Sequence, residues 1–313
     1  MRVGIVGAGI AGLACAHSLT AGGHDVVLLD KGRGPGGRMS TRRLQTSQGV
    51  ASFDHGAQYF TARDENFRAQ VDDWITEGVV APWPAAAADA YVGVPAMNAP
   101  VKSLAARQLV QWATRVTAIE ECGEGWRLRT DAGNVLDVDL AVIAVPAEQA
   151  AALLAGTADD LAATAGAAPS EPCWALMASF AEPVVSVADC RRGEEVIGWA
   201  ARNNAKPGRT GPESWVVQAT GDWSRRHIDD DPDEVSAALI DALARDLGVD
   251  LPPRIGTAAH LWRFARCEPG GTGPVLDADR RLGLCGDWLI GPRVECAWLS
   301  GVRLADRIAN SGR

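Results

Sequence analysis

"RVGIVGAGIAGLACAHSLTAGGHDVVLLD", which runs from Arg2 to Asp30, predicts the fold around which the rest of the chain is built. The apolar run Arg2–Val6 is typical of a buried parallel strand, residues 13–21 predict a helix, and Asp25–Leu29 predict a second strand. A G-x-G-x-x-G pattern joins the first strand to the helix, and an acidic residue follows the second strand. This combination indicates a β-α-β unit that binds a dinucleotide.

The three glycines and the acid each have a physical role in such a unit. Gly7 permits the tight turn, Gly9 lets the backbone approach a pyrophosphate, and Gly12 lets the helix pack closely on the strand. The helix N-terminus offers unpaired N–H groups to the phosphates. Asp30 is placed to bind ribose hydroxyls, which favours FAD or NAD. The alternative is a glycine-rich turn in another α/β protein.

The next segment, "DKGRGPGGRMSTRR" (residues 30–43), favours FAD. It is similar to the second pyrophosphate motif of flavoproteins of the amine oxidase and glutathione reductase type. Gly37 and Arg38 suit a diphosphate, because a glycine exposes backbone and an arginine presents a fork of donors. Lys31, directly after the ribose aspartate, is a further candidate contact. Arg42 and Arg43 are expected in a solvated basic loop.

A second glycine–acid pair occurs in "GLCGDWLIGPRVECAWLSGVRLADRI", residues 283–308. In flavoproteins of this type, such a pair contacts the ribityl–pyrophosphate region, and the next helix directs its N-terminus at the flavin. Residues 293–310 fit that helix, with one apolar face formed by Val294, Ala297, Trp298, Gly301, Leu304, Ala305 and Ile308. Gly286, Asp287, Ala297 and Trp298 are therefore predicted cofactor contacts. The alternative is a helix that only packs on the sheet.

Composition excludes several classes of protein. Apolar residues make up 47% and charged residues 22% of the 313 residues, and the formal net charge is −9. Proteins that bind nucleic acid usually carry a basic field, so no nucleic-acid partner is expected. No apolar run reaches the roughly 20 residues that cross a bilayer, and a strand at the start leaves no room for a signal peptide. We expect a cytoplasmic protein without membrane association.

The remaining pattern predicts an α/β fold of two domains. Short strands near residues 115–121, 126–130 and 135–137 form an insert that is usual in FAD domains, and a residue like Val116 contacts the adenine there. Trp-bearing strands and one helix capped by Asp231 follow from about residue 155. The prediction is a discontinuous Rossmann-type FAD-binding domain of the GR2/amine-oxidase-like kind (residues 1–74, 106–154 and 272–313). A mainly antiparallel substrate domain takes residues 75–105 and 155–271.

Motifs along nearly the whole chain resemble those of the bacterial renalases, which are small FAD-dependent oxidases. They include "FDHGAQYFTAR", "WAARNNAKPGR", "WVVQATGDWSRRHID" and "AHLWRFAR". The resemblance implies that a set of residues contacts FAD: Ala11, Asp30, Arg38, Gln58, Tyr59, Gly286 and Asp287. It also implies that a second set faces the substrate: Ala57, Gln58, Tyr59, Phe60 and Thr61. Trp288, directly after Gly286-Asp287, is a further substrate candidate.

The function that this resemblance implies is the oxidation of 1,2- and 1,6-dihydro isomers of NAD(P) to NAD(P)⁺. Hydride would pass to flavin N5, and molecular oxygen would be reduced to hydrogen peroxide. A dihydronicotinamide gives up a hydride without losing a proton, so no catalytic side chain is required. His55 is interpreted as a structural residue.

The alternatives are a flavin amine oxidase and, more remotely, a non-catalytic dinucleotide-binding protein. Amine oxidases usually hold a lysine near flavin N5 and an amine between two aromatic rings. Lys31, Lys102 and Lys206 are all expected away from the flavin face, in or beside loops. Pro292 and Cys296 depart from the renalase pattern near the expected substrate entrance.

The seven cysteines are odd in number and lack C-x-x-C spacing, so neither a disulfide framework nor a metal site is expected. None is placed for an obvious covalent flavin bond, and FAD is expected to bind non-covalently. The choice between NAD and NADP and the oligomeric state stay open. The candidate cations for a substrate phosphate are Arg202, Lys206, Arg209, Arg225 and Arg226.

Overall fold

The computed structural model of the protein describes residues 1–186, 188–268, 271 and 273–311. Within these residues the strands, numbered in chain order, are β1 (Arg2–Val6), β2 (Asp25–Leu29), β3 (Thr41–Thr46), β4 (Gly49–Asp54), β5 (Phe60–Thr61), β6 (Val80–Pro82), β7 (Ala90–Gly93), β8 (Leu109–Gln111), β9 (Val116–Cys122), β10 (Gly125–Thr130), β11 (Val135–Val138), β12 (Leu140–Ile143), β13 (Ser170–Phe180), β14 (Cys190–Arg192), β15 (Ile197–Arg202), β16 (Glu213–Ala219), β17 (Arg254–Cys267), β18 (Val275–Asp277) and β19 (Leu282–Leu284).

The α-helices of the same residues are α1 (Ile10–Ala21), α2 (Glu65–Thr76), α3 (Ala99–Ala105), α4 (Ala147–Leu154), α5 (Asp159–Gly166), α6 (Gly221–Arg226), α7 (Pro232–Leu247) and α8 (Val294–Ser311). Short 3₁₀ turns occur at Gly37–Met39, Asn203–Ala205 and Asp287–Leu289. None of the described helices is long and apolar enough to cross a membrane.

A largely parallel sheet carries the dinucleotide-binding unit. Its strand order is β18-β19-β12-β1-β2-β8, and only β18 runs antiparallel to its neighbour. The predicted β-α-β unit is confirmed, since β1 pairs with β2 in parallel and α1 lies between them. The helix begins at Ile10, three residues earlier than expected, so Gly12 lies inside its first turn.

The C-terminal helix packs directly on the first helix. A Cβ at Gly301 of α8 would lie 2.1 Å from the backbone oxygen of Ala11 in α1, so only glycine permits this approach. The contact places the middle of α8 against the first turns of α1. The predicted helix is therefore confirmed with its boundaries shifted by one residue.

A mainly antiparallel sheet forms the second layer of the molecule. Its order is β14-β15-β16-β13-β17, and α7 covers one face through Val235, Leu239 and Leu243, which share a core with Trp215. The N-cap of α7 is Asp231, whose carboxylate accepts a hydrogen bond from Asp233 N. The predicted fold class, α/β with a Rossmann-type sheet and an antiparallel sheet, is confirmed. The predicted domain boundaries stay a proposal.

Some elements differ from the expectation. Arg42 and Arg43 do not lie in a loop, because β3 pairs with β4 over its whole length and both residues belong to that hairpin. Both residues are nevertheless exposed at the surface of β3. A small sheet in the order β5-β7-β6 was also not predicted, because its strands are only two to four residues long.

Candidate functional site

One large cavity runs along the carboxyl edge of the parallel sheet. Its volume is about 1510 Å³, which exceeds the ~300–1,000 Å³ of a pocket for one small molecule. The cavity wall brings together most of the predicted cofactor residues: Gly7, Gly9, Ala11, Asp30, Lys31, Gly37, Arg38, Gln58, Tyr59, Val116, Gly286, Asp287 and Ala297. The predicted substrate residues Ala57, Gln58, Tyr59, Phe60 and Thr61 lie on the same wall.

Two glycine loops meet at the floor of the cavity. Gly7 has a φ of +105°, which a residue with a side chain rarely adopts. A Cβ added to Gly9 would meet nothing within 4 Å, whereas one added to Gly37 would lie 3.7 Å from the Cα of Gly9. Gly12 does not line the cavity, because it packs against the turn, where its Cβ would lie 2.0 Å from Gly7 O. The backbone at Gly9 is therefore open to a ligand.

At one end of the cavity Asp30 is held by the glycine loop itself. Its two carboxylate oxygens accept hydrogen bonds of 2.6 Å from Ala8 N and Gly32 N. A carboxylate has about four acceptor positions, so both oxygens keep capacity for hydroxyl donors. Lys31 donates to Gln149 Oε1 at 3.0 Å, and burial together with the charge of Arg115 lowers the pKa of this lysine.

In the middle of the cavity Arg38 and Asp287 bind each other. Arg38 Nη1 donates to Asp287 Oδ2 at 2.8 Å, and Nη2 donates to Oδ1 at 2.6 Å. The pair thus joins the second glycine motif to the C-terminal glycine–acid pair. Both residues line the cavity, and the side chain of Asp287 is only 9% exposed.

Hydrogen bonds to the main-chain carbonyls of residues 54–56 hold the start of the segment that carries the predicted substrate residues 57–61. Gln58 Nε2 donates to Asp54 O and Gly56 O, Gln218 Nε2 donates to Gly56 O at 2.6 Å, and Trp262 Nε1 donates to His55 O at 2.9 Å. Gln218 and Trp262 come from β16 and β17 and also line the cavity. The antiparallel sheet therefore fixes the position of this segment.

Beyond this segment a cation lies over two aromatic rings. The guanidinium carbon of Arg192 lies 4.9 Å from the Trp199 ring centroid and 5.7 Å from that of Tyr59. The two rings are in contact, with centroids 5.4 Å apart, and Arg192 Nη2 donates to the Tyr59 hydroxyl. Sequence reasoning predicted only Tyr59 of this group, because nothing local links it to Arg192 or Trp199.

Comparisons with known proteins agree with this geometry. The family model described as flavin containing amine oxidoreductase matches residues 85–309, and that of the NAD(P)-binding Rossmann-like domain matches residues 5–74. The chain belongs to the flavin-containing amine oxidoreductase family. Its cofactor is FAD.

Solved structures of the same fold include several oxidases. They are a protein assigned as a protoporphyrinogen oxidase from Exiguobacterium sp. 255-15 (TM-score 0.71, 13% identity, 99% of this chain and 98% of the other), cyclohexylamine oxidase from Brevibacterium oxydans IH-35A (TM-score 0.69, 14% identity, 99% and 98%), and a double mutant of putrescine oxidase with redesigned cofactor binding (TM-score 0.66, 13% identity, 99% and 99%). At these identities they show the shared fold alone.

The residues present fit the FAD of this flavin oxidoreductase family. The open backbone at Gly9 and the free N-terminus of α1 suit a diphosphate, and the free acceptor positions of Asp30 suit ribose hydroxyls. The start of α8, at Val294 and Ala297, also lines the cavity. A helix N-terminus there would stabilise negative charge on a bound ring.

Trp288 and Trp298, which were expected to contact the substrate and the cofactor, do not line the described cavity. Trp288 is 3% exposed, donates its Nε1 hydrogen to Val145 O at 3.1 Å and does not line the described cavity. Trp298 packs against Phe67, with ring centroids 5.4 Å apart, and also stays behind the wall. Both rings belong to the apolar core. There the Trp288 N–H has a carbonyl partner and the Trp298 ring contacts another ring, and both contacts stabilise a buried indole.

Lys206, which was expected in a loop away from the flavin face, lies close to the predicted substrate residues. It is buried, and its Nζ lies 3.1 Å from Gln58 Oε1, 3.3 Å from Asp54 Oδ2 and 5.3 Å from the Trp83 ring centroid. Burial and the charge of Arg209 lower the pKa of Lys206 to about 8, against the opposing effect of Asp54. Lys206 thus lies directly behind the predicted substrate segment.

Arg209 completes this buried cluster and is likewise not available to a substrate phosphate. Its guanidinium binds Asp54 Oδ2, and its side chain is 1% exposed. Burial alone would raise the pKa of Asp54, but Lys206 and Arg209 outweigh burial and lower it to about 2. None of the five cations proposed from the sequence lines the described cavity, and Lys206 and Arg209 are buried.

Proposed function

We propose that this protein oxidises the 1,2- and 1,6-dihydro isomers of NAD(P) to NAD(P)⁺, using FAD and molecular oxygen and releasing hydrogen peroxide. The proposal includes the predicted cofactor contacts and the two-domain division of the chain. It goes beyond the family, because flavin-containing amine oxidoreductases also include amine oxidases. The observation that carries it is the charge of the cavity wall.

The described cavity wall is basic although the whole chain is acidic. Its basic residues are Lys31, Arg38, Arg63, Arg115, Arg192, Arg263, Arg266 and Arg293, and its acidic residues are Asp30, Glu171 and Asp287. Four of these arginines are paired: Arg38 with Asp287, Arg266 with Glu171, Arg263 with Asp229 and Arg293 with Glu295. Asp30 binds main-chain N–H groups, so Lys31, Arg63, Arg115 and Arg192 keep their charge without an ion pair among the described residues. A focused positive field favours an anionic ligand and disfavours an alkylammonium ion.

FAD accounts for part of this charge but not for all of it. Lys31 and Arg115 lie with Asp30 and Val116, where the adenosine end of FAD is expected. Arg192 lies with Tyr59 in the predicted substrate region. A second dinucleotide, whose diphosphate is anionic, would use the charge that remains.

The aromatic pair also disfavours an amine. An amine held between two rings needs a slot between them, but Tyr59 and Trp199 are already in contact at 5.4 Å. Arg192 of the protein itself covers both rings at the distance at which a substrate cation would stack. An ammonium ion would have to displace this guanidinium and would meet its charge.

The reaction requires the protein mainly to position the substrate. When bound, FAD accepts a hydride at N5 and passes the two electrons to oxygen. The dihydronicotinamide becomes a pyridinium ion and loses no proton, so no side chain has to act as a base. The protein would hold the ring in position against the segment 57–61, whose start is anchored by hydrogen bonds to the carbonyls of residues 54–56.

The decisive experiment is anaerobic spectroscopy of the FAD-loaded protein. A mixture of 1,2- and 1,6-dihydro-NAD should bleach the oxidised flavin band, and admission of air should restore it with formation of peroxide. Ordinary 1,4-NADH serves as the matched control for dinucleotide binding. If the isomers leave the band unchanged while cyclohexylamine or putrescine bleaches it, the proposal is wrong and the protein is an amine oxidase.

An amine oxidase is the second candidate function, and the family match supports it. Two of the similar solved structures are oxidases that are named after an amine, cyclohexylamine and putrescine. The buried Lys206 near the substrate segment is a further point in its favour. Against it stand the basic wall and the closed aromatic pair.

A further inference from the structure

We propose that Arg192 is a specificity-determining residue that binds the diphosphate of the substrate dinucleotide. This inference rests on the proposed function and names the group that recognises the non-reacting part of the substrate. Neither the sequence motifs nor the family match assigns a role to Arg192.

The sheet builds this position from two paired strands. Arg192 ends the edge strand β14 and lies opposite Trp199 of β15 in the antiparallel ladder, so the two side chains share a face. Gly193 and Gly198 flank the pair and also line the cavity, so no side chain at these two positions covers the guanidinium. Arg192 is exposed toward this opening.

The guanidinium is held in place without being neutralised. Stacking on Trp199 and a hydrogen bond to the Tyr59 hydroxyl restrict its movement. In the described part of the chain Arg192 forms no ion pair, whereas its neighbour Arg191 pairs with Asp246 at 2.9 Å. A guanidinium has five N–H donors, so most of them stay available for a bidentate contact with phosphate oxygens.

The contact to Tyr59 connects this cation to the predicted reaction centre. Tyr59 lies in the segment that also carries Ala57 and Thr61 along the wall. A nicotinamide ring placed against this segment has its ribose and phosphates a few ångströms away. Arg192 is a fixed charge in that region, and it would also repel a substrate amine.

The first test compares substrates that share the dihydronicotinamide riboside but lose first the adenylate and then the remaining phosphate. The series is 1,2-dihydro-NAD, the mononucleotide and the riboside, reacted anaerobically with wild type, Arg192→Gln and Arg192→Lys. For Arg192→Gln we expect the dinucleotide concentration that gives the half-maximal rate of flavin reduction to rise about tenfold to a hundredfold, with that of the riboside unchanged. Arg192→Lys should recover only part of the loss, since lysine lacks the fork. Arg191→Ala is the matched control and should behave as wild type.

The second test does not depend on catalysis. ADP-ribose carries the diphosphate but no nicotinamide, and its binding to the FAD-loaded protein is measured by calorimetry. Weaker binding to Arg192→Gln than to wild type supports the assignment. Equal binding to both proteins, or an equal rise in the half-saturating concentration for dinucleotide and riboside, overturns it. If ADP-ribose binding depends on Arg192 but no dihydro isomer reduces the flavin, the anion site stands and the proposed reaction fails.

Discussion

Arg38 and Asp287 are 249 positions apart in the chain, yet two parallel hydrogen bonds of 2.8 and 2.6 Å join them at the centre of the cavity. The arginine follows the second glycine motif, and the aspartate precedes the C-terminal helix. Each had been predicted as a separate contact to FAD. Their pairing joins the segment after the second glycine motif to the segment before α8 in the cavity wall.

Replacing one partner should therefore damage the site more than an ion pair at the surface would. Asp287→Asn leaves Arg38 without its anion, and we expect a loss of about 2 kcal/mol in the free energy of unfolding of the FAD-free protein. FAD affinity should fall about tenfold or more. Denaturation curves and flavin fluorescence titrations measure the two effects. Arg127→Lys, which alters a similar bidentate pair with Asp137 on exposed strands, is the control and should change neither quantity.

Two glycines of one motif should respond differently to alanine. A Cβ at Gly9 meets only open space and the φ of −74° suits any residue, so Gly9→Ala should keep the stability of the FAD-free protein and lose FAD affinity. A Cβ at Gly12 would lie 2.0 Å from Gly7 O, so Gly12→Ala should cost about 1–3 kcal/mol without any cofactor. Denaturation and FAD titration of both variants separate the outcomes. Wild-type FAD affinity in Gly9→Ala would show that no phosphate approaches this backbone.

How far the sequence could predict the molecule depended on the range of the interactions. The β-α-β unit and the cap Asp231 have local signals, because glycine spacing and a polar residue before a helix act over a few positions. Lys206 lies 148 positions from Gln58, and no local pattern indicates that β4 and the turn after β15 meet there. Trp288 follows Gly286-Asp287 directly, but adjacency does not determine which side of the backbone faces the cavity.

We predict that FAD is bound without a covalent bond. Among the described residues, Cys173 is the cysteine that lines the cavity. Burial raises the pKa of its thiol to about 12. A thiol that stays protonated is a poor nucleophile. Acid precipitation should leave the yellow flavin in the supernatant. Flavin retained in the washed pellet of wild type but not of Cys173→Ser would contradict the prediction.

The buried cluster around Asp54 should be structural, with a graded response. Asp54 accepts hydrogen bonds from Thr41 Oγ1, Met97 N, Lys206 and Arg209, so Asp54→Asn leaves two buried cations without an anion and should cost about 4 kcal/mol. Lys206→Met leaves Asp54 paired with Arg209 and should cost about 2 kcal/mol. Urea denaturation of the two variants tests this order.

The Lys206→Met variant also tests whether this lysine takes part in the reaction. We expect the pH dependence of anaerobic flavin reduction to keep its shape. The rate of reduction should fall modestly, because Gln58 loses its hydrogen bond to Lys206 and shifts. A loss of about a hundredfold or more together with a changed pH profile would instead identify Lys206 as a proton-transfer group. That result would favour the amine oxidase candidate.

Acid should destabilise the protein through His55. This histidine is buried beside His260 and Trp262, with ring centroids at 5.2 and 5.0 Å, and its Nδ1 has no hydrogen-bond partner in the described structure. Burial, and after it the charges of His260 and Arg42, lower its pKa to about 4. An unfolded histidine takes up a proton near pH 6.5. Between these values the unfolded state binds more protons, so stability falls as the pH drops from about 6.5 to 4.

The variant His55→Phe keeps an aromatic ring and removes this titration. Wild type should lose roughly 3 kcal/mol from His55 across that pH range, since one pKa unit corresponds to about 1.4 kcal/mol. The variant should show a shallower pH dependence of its unfolding free energy, measured by urea denaturation at intervals between about pH 4 and 7. His260, whose pKa is also lowered by burial and by Arg42, should supply part of the slope that remains. Parallel curves for wild type and His55→Phe would mean that His55 accepts its proton as readily in the folded protein as in the unfolded chain.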